Sequence, residues 1–269
     1  MFIRKGKVRT KAEDLFNQAI HAFDANNLDS AYRLFQESRD QFTKLKEEGK
    51  EEAEFCSAYV LMLEGFFHRE KALEKQESQA NDHRSIYTEF IESMKSFGQA
   101  FVSFSSLGQA VLAQKVRSEQ ARSQVEFAKA KGIEGDFNES ARLFESAGAV
   151  FQMAGYEKEA ASARARSYVQ RAAQVQDNFE KAKFLKQAVE QFKKAQEITP
   201  RIEAHALFYE GMAMTEVNVR QAIQLLARAA DKYEQAGATD RVRRVREILE
   251  DLVQQVRDRP SDYGVSHRY

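Results

Sequence analysis

Residues 137–155 read FNESARLFESAGAVFQMAG. Phe137, Ala141, Phe144, Ala147, Val150, Phe151 and Ala154 recur at three- and four-residue steps, which puts them on one helical face. Asn138, Glu139, Arg142, Glu145 and Gln152 take the opposite face. Gly155 stands where a left-handed residue closes a helix, because glycine has no Cβ to oppose a positive φ. The next stretch, YEKEAASARARSYVQRAA, opens a second helix at once. The unit is therefore helix, tight turn, helix.

The same cadence runs through the chain. Phe90, Phe97, Phe104 and Gly108 align with Phe137, Phe144, Phe151 and Gly155. Val219, Leu226, Tyr233 and Gly237 align with them too. Leu185 and Phe192 form another copy, as do Leu28, Phe35 and Phe42, with separations of about 62, 47, 41 and 41 residues. A helix pair with apolar residues on both flanks must stack on the next pair. The spacing thus predicts an all-α fold: a right-handed superhelical stack, or α-solenoid, of about eleven antiparallel helices. The aromatic residues are its core. Ala19, Gly65, Gly98, Gly148 and Gly211 are expected to let neighbouring helices approach closely.

Boundaries follow from breakers and caps. Residues 1–8 read as a basic, irregular lead-in, and a helix is expected from about Thr10 to Ala25. Asp29 or Ser30 is expected to cap the next helix, and Asp136 or Asn138 the reference helix. The long helix after Gly49 ends in HREKALEKQESQ, which reads as a solvated face. Pro200 is placed at the first turn of its helix. Residues 9–257 read as a single repeat domain, and 258–269 as a flexible tail after Val256.

The repeat resembles the tetratricopeptide family, whose pattern sets a small residue in the first helix, then a turn, then Ala, an aromatic and Ala in the second. Leu15, Ala19, Asn26-Asn27, Ala31, Phe35 and Ser38 look like one copy, and Leu207, Gly211, Asn218, Ala222, Leu226 and Ala230 like another. The longer helices, with LFESAGAVFQMAGYEKEAASARARS and AADKYEQAGATDRVRRVREILEDL, resemble the SNAP branch, the soluble attachment proteins that couple SNARE bundles to a disassembling ATPase. The resemblance implies a helical-repeat adaptor that holds protein partners.

Composition excludes other classes. Only 2 prolines occur in 269 residues, so helices can run long. Equal numbers of acidic and basic side chains, 41 each, leave no global field to attract nucleic acid. The lone cysteine, Cys56, rules out an internal disulfide and a cysteine zinc finger. MFIRKGKVRTK is too poor in apolar residues for a signal peptide, and no run is long enough to span a bilayer. A soluble, cytoplasmic protein is the expectation.

No phosphate-binding loop, H-E-x-x-H or nucleophile grouping is present. Glu64 and His68 stand four apart, too few for a metal site and suited to a hydrogen bond or ion pair. His21 reads as a partly buried histidine, and Cys56 as inert packing. No catalytic residue, metal or cofactor is expected, and the chain is not read as an enzyme. Two basic clusters remain. Arg241, Arg243, Arg244 and Arg246 are candidate partner-binding residues; their alternative is a solvated face paired with Glu247, Glu250 and Asp251. Phe2, Ile3, Arg4 and Lys5 are candidates for peripheral contact with an anionic membrane, the alternative being a frayed terminus.

The function expected from this is a non-catalytic scaffold or adaptor that binds a partner helix or peptide on a concave helical-repeat surface. Two alternatives stand beside it: a SNAP-like adaptor at membranes handling SNARE-type complexes, and a domain that senses a ligand or signalling peptide.

Overall fold

A computed structural model describes residues 2–78 and 82–258, with side chains from Lys5 onward. Among the described residues there are eleven α-helices and no strand. They are α1 Phe2–Asp24, α2 Leu28–Thr43, α3 Lys50–Glu77, α4 His83–Ser106, α5 Ala110–Ile133, α6 Phe137–Met153, α7 Glu157–Gln174, α8 Asn178–Lys194, α9 Pro200–Met214, α10 Val219–Gln235 and α11 Thr239–Asp258. A 3-10 turn, Lys46–Gly49, sits between α2 and α3. Consecutive helices pack on one another from α1 to α4 and from α7 to α11, joined by short turns, and the chain has an all-α helical-repeat fold.

The turns share one construction. Gly108, Gly155 and Gly237 adopt φ of 70°, 82° and 66°, as their alignment predicts. In each case the amide after the glycine donates to the repeat aromatic five residues back: Gln109 to Phe104 at 2.8 Å, Tyr156 to Phe151 at 2.9 Å, Ala238 to Tyr233 at 2.9 Å. That is the Schellman closure of a helix. Gln196 takes the same place after Phe192, with φ 61°, and Lys46 after Phe42, with φ 57°. Those two copies hide from a glycine search because a non-glycine residue accepts the left-handed cost, about 1 kcal/mol.

A second regularity escapes the apolar pattern. Buried serines donate to the backbone carbonyl of the preceding helix: Ser38 to Ala12 at 2.8 Å, Ser93 to Gly65 at 2.8 Å, Ser140 to Ala128 at 2.7 Å and Ser167 to Ala141 at 2.9 Å. Only a small side chain lets the helices approach this closely while satisfying its own hydroxyl.

Several boundaries differ from expectation. The first helix starts at Phe2, not near Thr10. Lys5 and Arg9 are its anchors, pairing with Glu48 at 2.6 Å and Glu52 at 2.9 Å. Asn27 caps α2 instead of Asp29 or Ser30, its side chain accepting from the Ser30 amide. Asp136 caps α6, accepting from Glu139 N at 3.2 Å, and Pro200 opens α9. The expected tail falls outside the described residues from 259 onward.

Contacts divide the chain into two compact units. The first is Met1–Phe127 with Met153–Gly155, and the second is Ala128–Gln152 with Tyr156–Tyr269. In the first unit α1 to α4 pack in sequence, around Phe35, Tyr59, Phe97 and Phe104. In the second, α7 to α11 pack in sequence, around many alanines with Leu185, Phe192, Leu226 and Tyr233.

Candidate interaction surface

The first unit places α1 beside α3, and the sequence explains why. Phe16 and Phe23 recur two turns apart on α1, while Phe55, Tyr59 and Phe66 recur on α3. Phe35 stacks on Tyr59 with ring centroids 4.4 Å apart, and Phe16 and Phe104 meet the same tyrosine edge-on at 6.2 and 5.3 Å. Rings this large fill the interior of the unit.

Two furrows lie along this surface. One, of about 540 Å³, has Phe23, Leu28, Phe66 and Leu73 for its apolar lining and Asp24, Arg69, Glu70 and Lys115 at its edge. The other, of about 310 Å³, is lined by Phe16, Phe42 and Phe55 with Glu13, Asn17 and Glu52. The cations of the first furrow are occupied. Arg69 pairs with the buried Glu119 at 2.8 Å and lies 5.2 Å from the Phe66 ring centre. Lys115 Nζ lies 5.5 Å from the centre of Phe23. Asp24 and Glu70 make no ion pair among the described residues.

The stretch HREKALEKQESQ is a solvated face only in part: Glu70, Glu74 and Glu77 are exposed, whereas Ala72 is buried and several of its cations are spent on α4 and α5. His68, Lys71 and Lys75 converge on Glu89 of α4, at 2.8, 2.6 and 2.7 Å. Burial alone would raise the Glu89 carboxyl, but hydrogen bonds from Lys71, Lys75 and His68 outweigh it and hold its pKa down at about 2. Glu64, four residues before His68, instead accepts from Tyr32 Oη at 3.0 Å. The two therefore serve different partners, and among the described residues no group of three or more His, Cys, Asp or Glu side chains could hold a metal ion. Cys56 is buried, and burial pushes its thiol pKa up, which suits inert packing. His21 is exposed on α1, not partly buried.

The candidate residues of the sequence fall elsewhere. Arg241, Arg243, Arg244 and Arg246 are all exposed on α11, in the second unit. Val242 and Val245 face its core between them. Arg243 pairs with Asp240 at 3.1 Å and Arg246 with Glu234 at 3.5 Å, not with Glu247, Glu250 or Asp251. The side chains of Phe2, Ile3 and Arg4 lie outside the described set. Lys5 is spent on Glu48, and the pair edges a groove of about 590 Å³ with Val8 and Leu45. Of the furrow residues, Phe23 and Phe66 were legible only as core stripe. Leu73 was hidden by the charges around it, a lone leucine in a polar run being the one available signal.

No protein-family model matches this chain, and no curated protein sequence matches it either. Among solved structures it is similar to a de novo designed helical repeat protein, with 19% identity, 95% of each chain covered and a TM-score of 0.30. It is also similar to a tetratricopeptide repeat protein from Parabacteroides merdae, with 13% identity, 91% of this chain and 99% of that one covered, and a TM-score of 0.27. The helical-repeat assignment rests on the chain's own helices and turns. No helix among the described residues is long and apolar enough to cross a membrane.

Proposed function

We propose that the protein is a non-catalytic scaffold or adaptor, and that the α1–α3 surface of its first unit holds an α-helical segment of a partner protein. The carrying observation is the pair of aromatic-floored furrows. Phe23 marks one and Phe16 the other, seven residues apart on the same helix. Seven residues are two turns, about 10 Å. A partner helix laid along α1 with apolar side chains at i and i+7 fills both, which is the usual register of helix-in-groove recognition. Asp24 and Glu70 have no counter-ion of their own, so they favour a partner with Lys or Arg beside the second anchor.

Panning a helical peptide library on the whole protein tests this. Enriched peptides should carry anchors seven apart with a basic flank, and Leu73→Glu should abolish their capture while leaving the helical circular dichroism unchanged. Enrichment without that spacing, or capture that survives Leu73→Glu, refutes the reading.

A further inference from the structure

The second unit carries a surface strip of different character. On α9, Arg201, His205 and Tyr209 are four residues apart and share one face. The His205 ring meets Tyr233 of α10 edge-on at 5.3 Å and lies 6.5 Å from Tyr209. Lys181 of α8 lies over the Tyr209 ring, 5.0 Å from its centre. Arg241, at the start of α11, comes close enough to act on the His205 imidazole alongside Arg201.

What sets the strip apart is its missing acids. Arg201, Arg241 and Lys181 make no ion pair among the described residues. Four carboxylates of α8–α11 and their turns that stand beside the two arginines or on α9 pair with other cations: Glu197 with Arg166 at 3.6 Å, Glu203 with Lys232 at 2.8 Å, Glu210 with Lys186 at 2.6 Å, and Asp240 with Arg243 at 3.1 Å. Three cations without an ion-pair partner among the described residues therefore gather around half-buried rings. Ile198, 94% exposed in the turn leading into α9, adds an apolar contact at the same end.

We propose that this strip, Arg201–His205–Tyr209 with Lys181 and Arg241 at its sides, docks an acidic peptide segment of a partner protein. Its carboxylates would pair with the two guanidiniums and the ammonium, and its chain would lie over the rings. The length is consistent with a peptide: eight residues of helix span about 12 Å, which an extended chain covers in about four residues. The site is distinct from the α1–α3 furrows in the chemistry it selects and does not depend on them.

The imidazole supplies an independent readout. Burial, then the charges of Arg241 and Arg201, push the pKa of His205 down to about 4. The titratable and charged groups facing it are Arg201 and Tyr209 on its own helix, Tyr233 on α10 and Arg241 on α11. Carboxylates arriving on the two arginines would cancel part of their repulsion and push the His205 midpoint up, whereas a chain laid over the ring would deepen its burial and push it down, so a displaced midpoint reports occupancy of the strip.

The experiment uses the whole protein with a synthetic Asp- and Glu-rich peptide at low ionic strength. Binding is followed by titration calorimetry, and His205 by NMR across pH. The expected result is saturable binding, weakened about tenfold or more by Arg201→Ser with Arg241→Ser, and a displaced His205 midpoint on peptide addition in the unmutated protein alone. Both arginines are exposed, and unchanged thermal unfolding of the double variant confirms that its fold is intact. A single-stranded oligonucleotide of equal charge serves as the competing probe. Absence of peptide binding, equal binding by the double variant, an unmoved His205 midpoint, or tighter binding of the oligonucleotide would each overturn the proposal. Loss of peptide-library capture at the α1–α3 furrows leaves this result unaffected.

Discussion

The two units pack the same helical repeat with different side chains. The first fills its core with rings: Phe35, Tyr59, Phe90, Phe97, Phe104 and Phe127 are all buried. The second relies on alanine, with Ala160, Ala161, Ala163, Ala165, Ala182 and Ala188 buried along two adjacent helices. Alanine lets backbones approach until little room is left between helices, whereas rings hold them apart and leave furrows at the edges. The consequence reaches function. The furrows described above lie in the aromatic unit, where recognition can use shape. In the alanine unit the distinctive chemistry is on the surface, as charge. The shared register shows at the glycines. A Cβ on Gly65 would lie 2.8 Å from the Phe97 ring, and one on Gly211 2.8 Å from Leu226, and Phe97 and Leu226 are equivalent positions of the repeat.

Those equivalent positions give the largest test. Phe97 is fully buried, against Phe66 at 5.1 Å and under Arg69 at 5.8 Å. Phe97→Ala should cost about 4 kcal/mol and Leu226→Ala about 3 kcal/mol, both from lost burial plus the cavity left behind. Chemical denaturation reads the difference. Equal or reversed losses would mean that the aromatic core is no more dependent on its side chains than the alanine core.

The electrostatic clamp of the first unit comes next in size. The Glu89 side chain is 9% exposed and is held by Lys71, Lys75 and His68. Its pKa is depressed to about 2, so the stability it contributes is fully present above the ordinary carboxylate range and is lost as pH falls toward 2. Glu89→Gln should lose about 2 kcal/mol at neutral pH, the half-exposed lysines being partly screened. It should also flatten the acid limb of the stability profile in that window. A profile that still falls with the same slope would show that other carboxylates dominate.

Much of this architecture was legible in advance. The Phe97, Phe144 and Leu226 register, with Gly108, Gly155 and Gly237 behind it, comes straight from apolar spacing and from the need for a positive φ. Copies closed by Gln196 and Lys46 were visible only through Phe192 and Phe42, because a left-handed glutamine or lysine has no sequence signature. The candidate surfaces were harder to see. Glu89 and Glu119 look like ordinary charges of helical segments, and only the tertiary arrangement reveals that they sit inside and gather cations from a helix that reads as solvated. Arg241 stood out in an arginine-rich stretch, whereas its association with Arg201 and His205 joins residues about 40 apart in the chain, beyond the reach of any local pattern.

The smallest effect separates the two units by pH. Glu89 acts in the carboxylate range, whereas His205 acts above it. The folded pKa of His205 is about 4 against an ordinary 6.5, so between these values the unfolded chain takes up a proton that the folded one does not. Stability must then rise with pH across that interval and is lost as pH falls through it. His205→Gln removes this titration without removing ring-sized bulk entirely. It should therefore relieve about 1 kcal/mol of destabilisation near pH 5, relative to its own effect at pH 8. Denaturation midpoints at the two pH values, for the variant and the unmutated chain, isolate that difference. If the variant and the parent keep the same spacing between pH 5 and pH 8, His205 is not held neutral by its burial and the two arginines. The cationic strip would then be less uncompensated than its geometry requires.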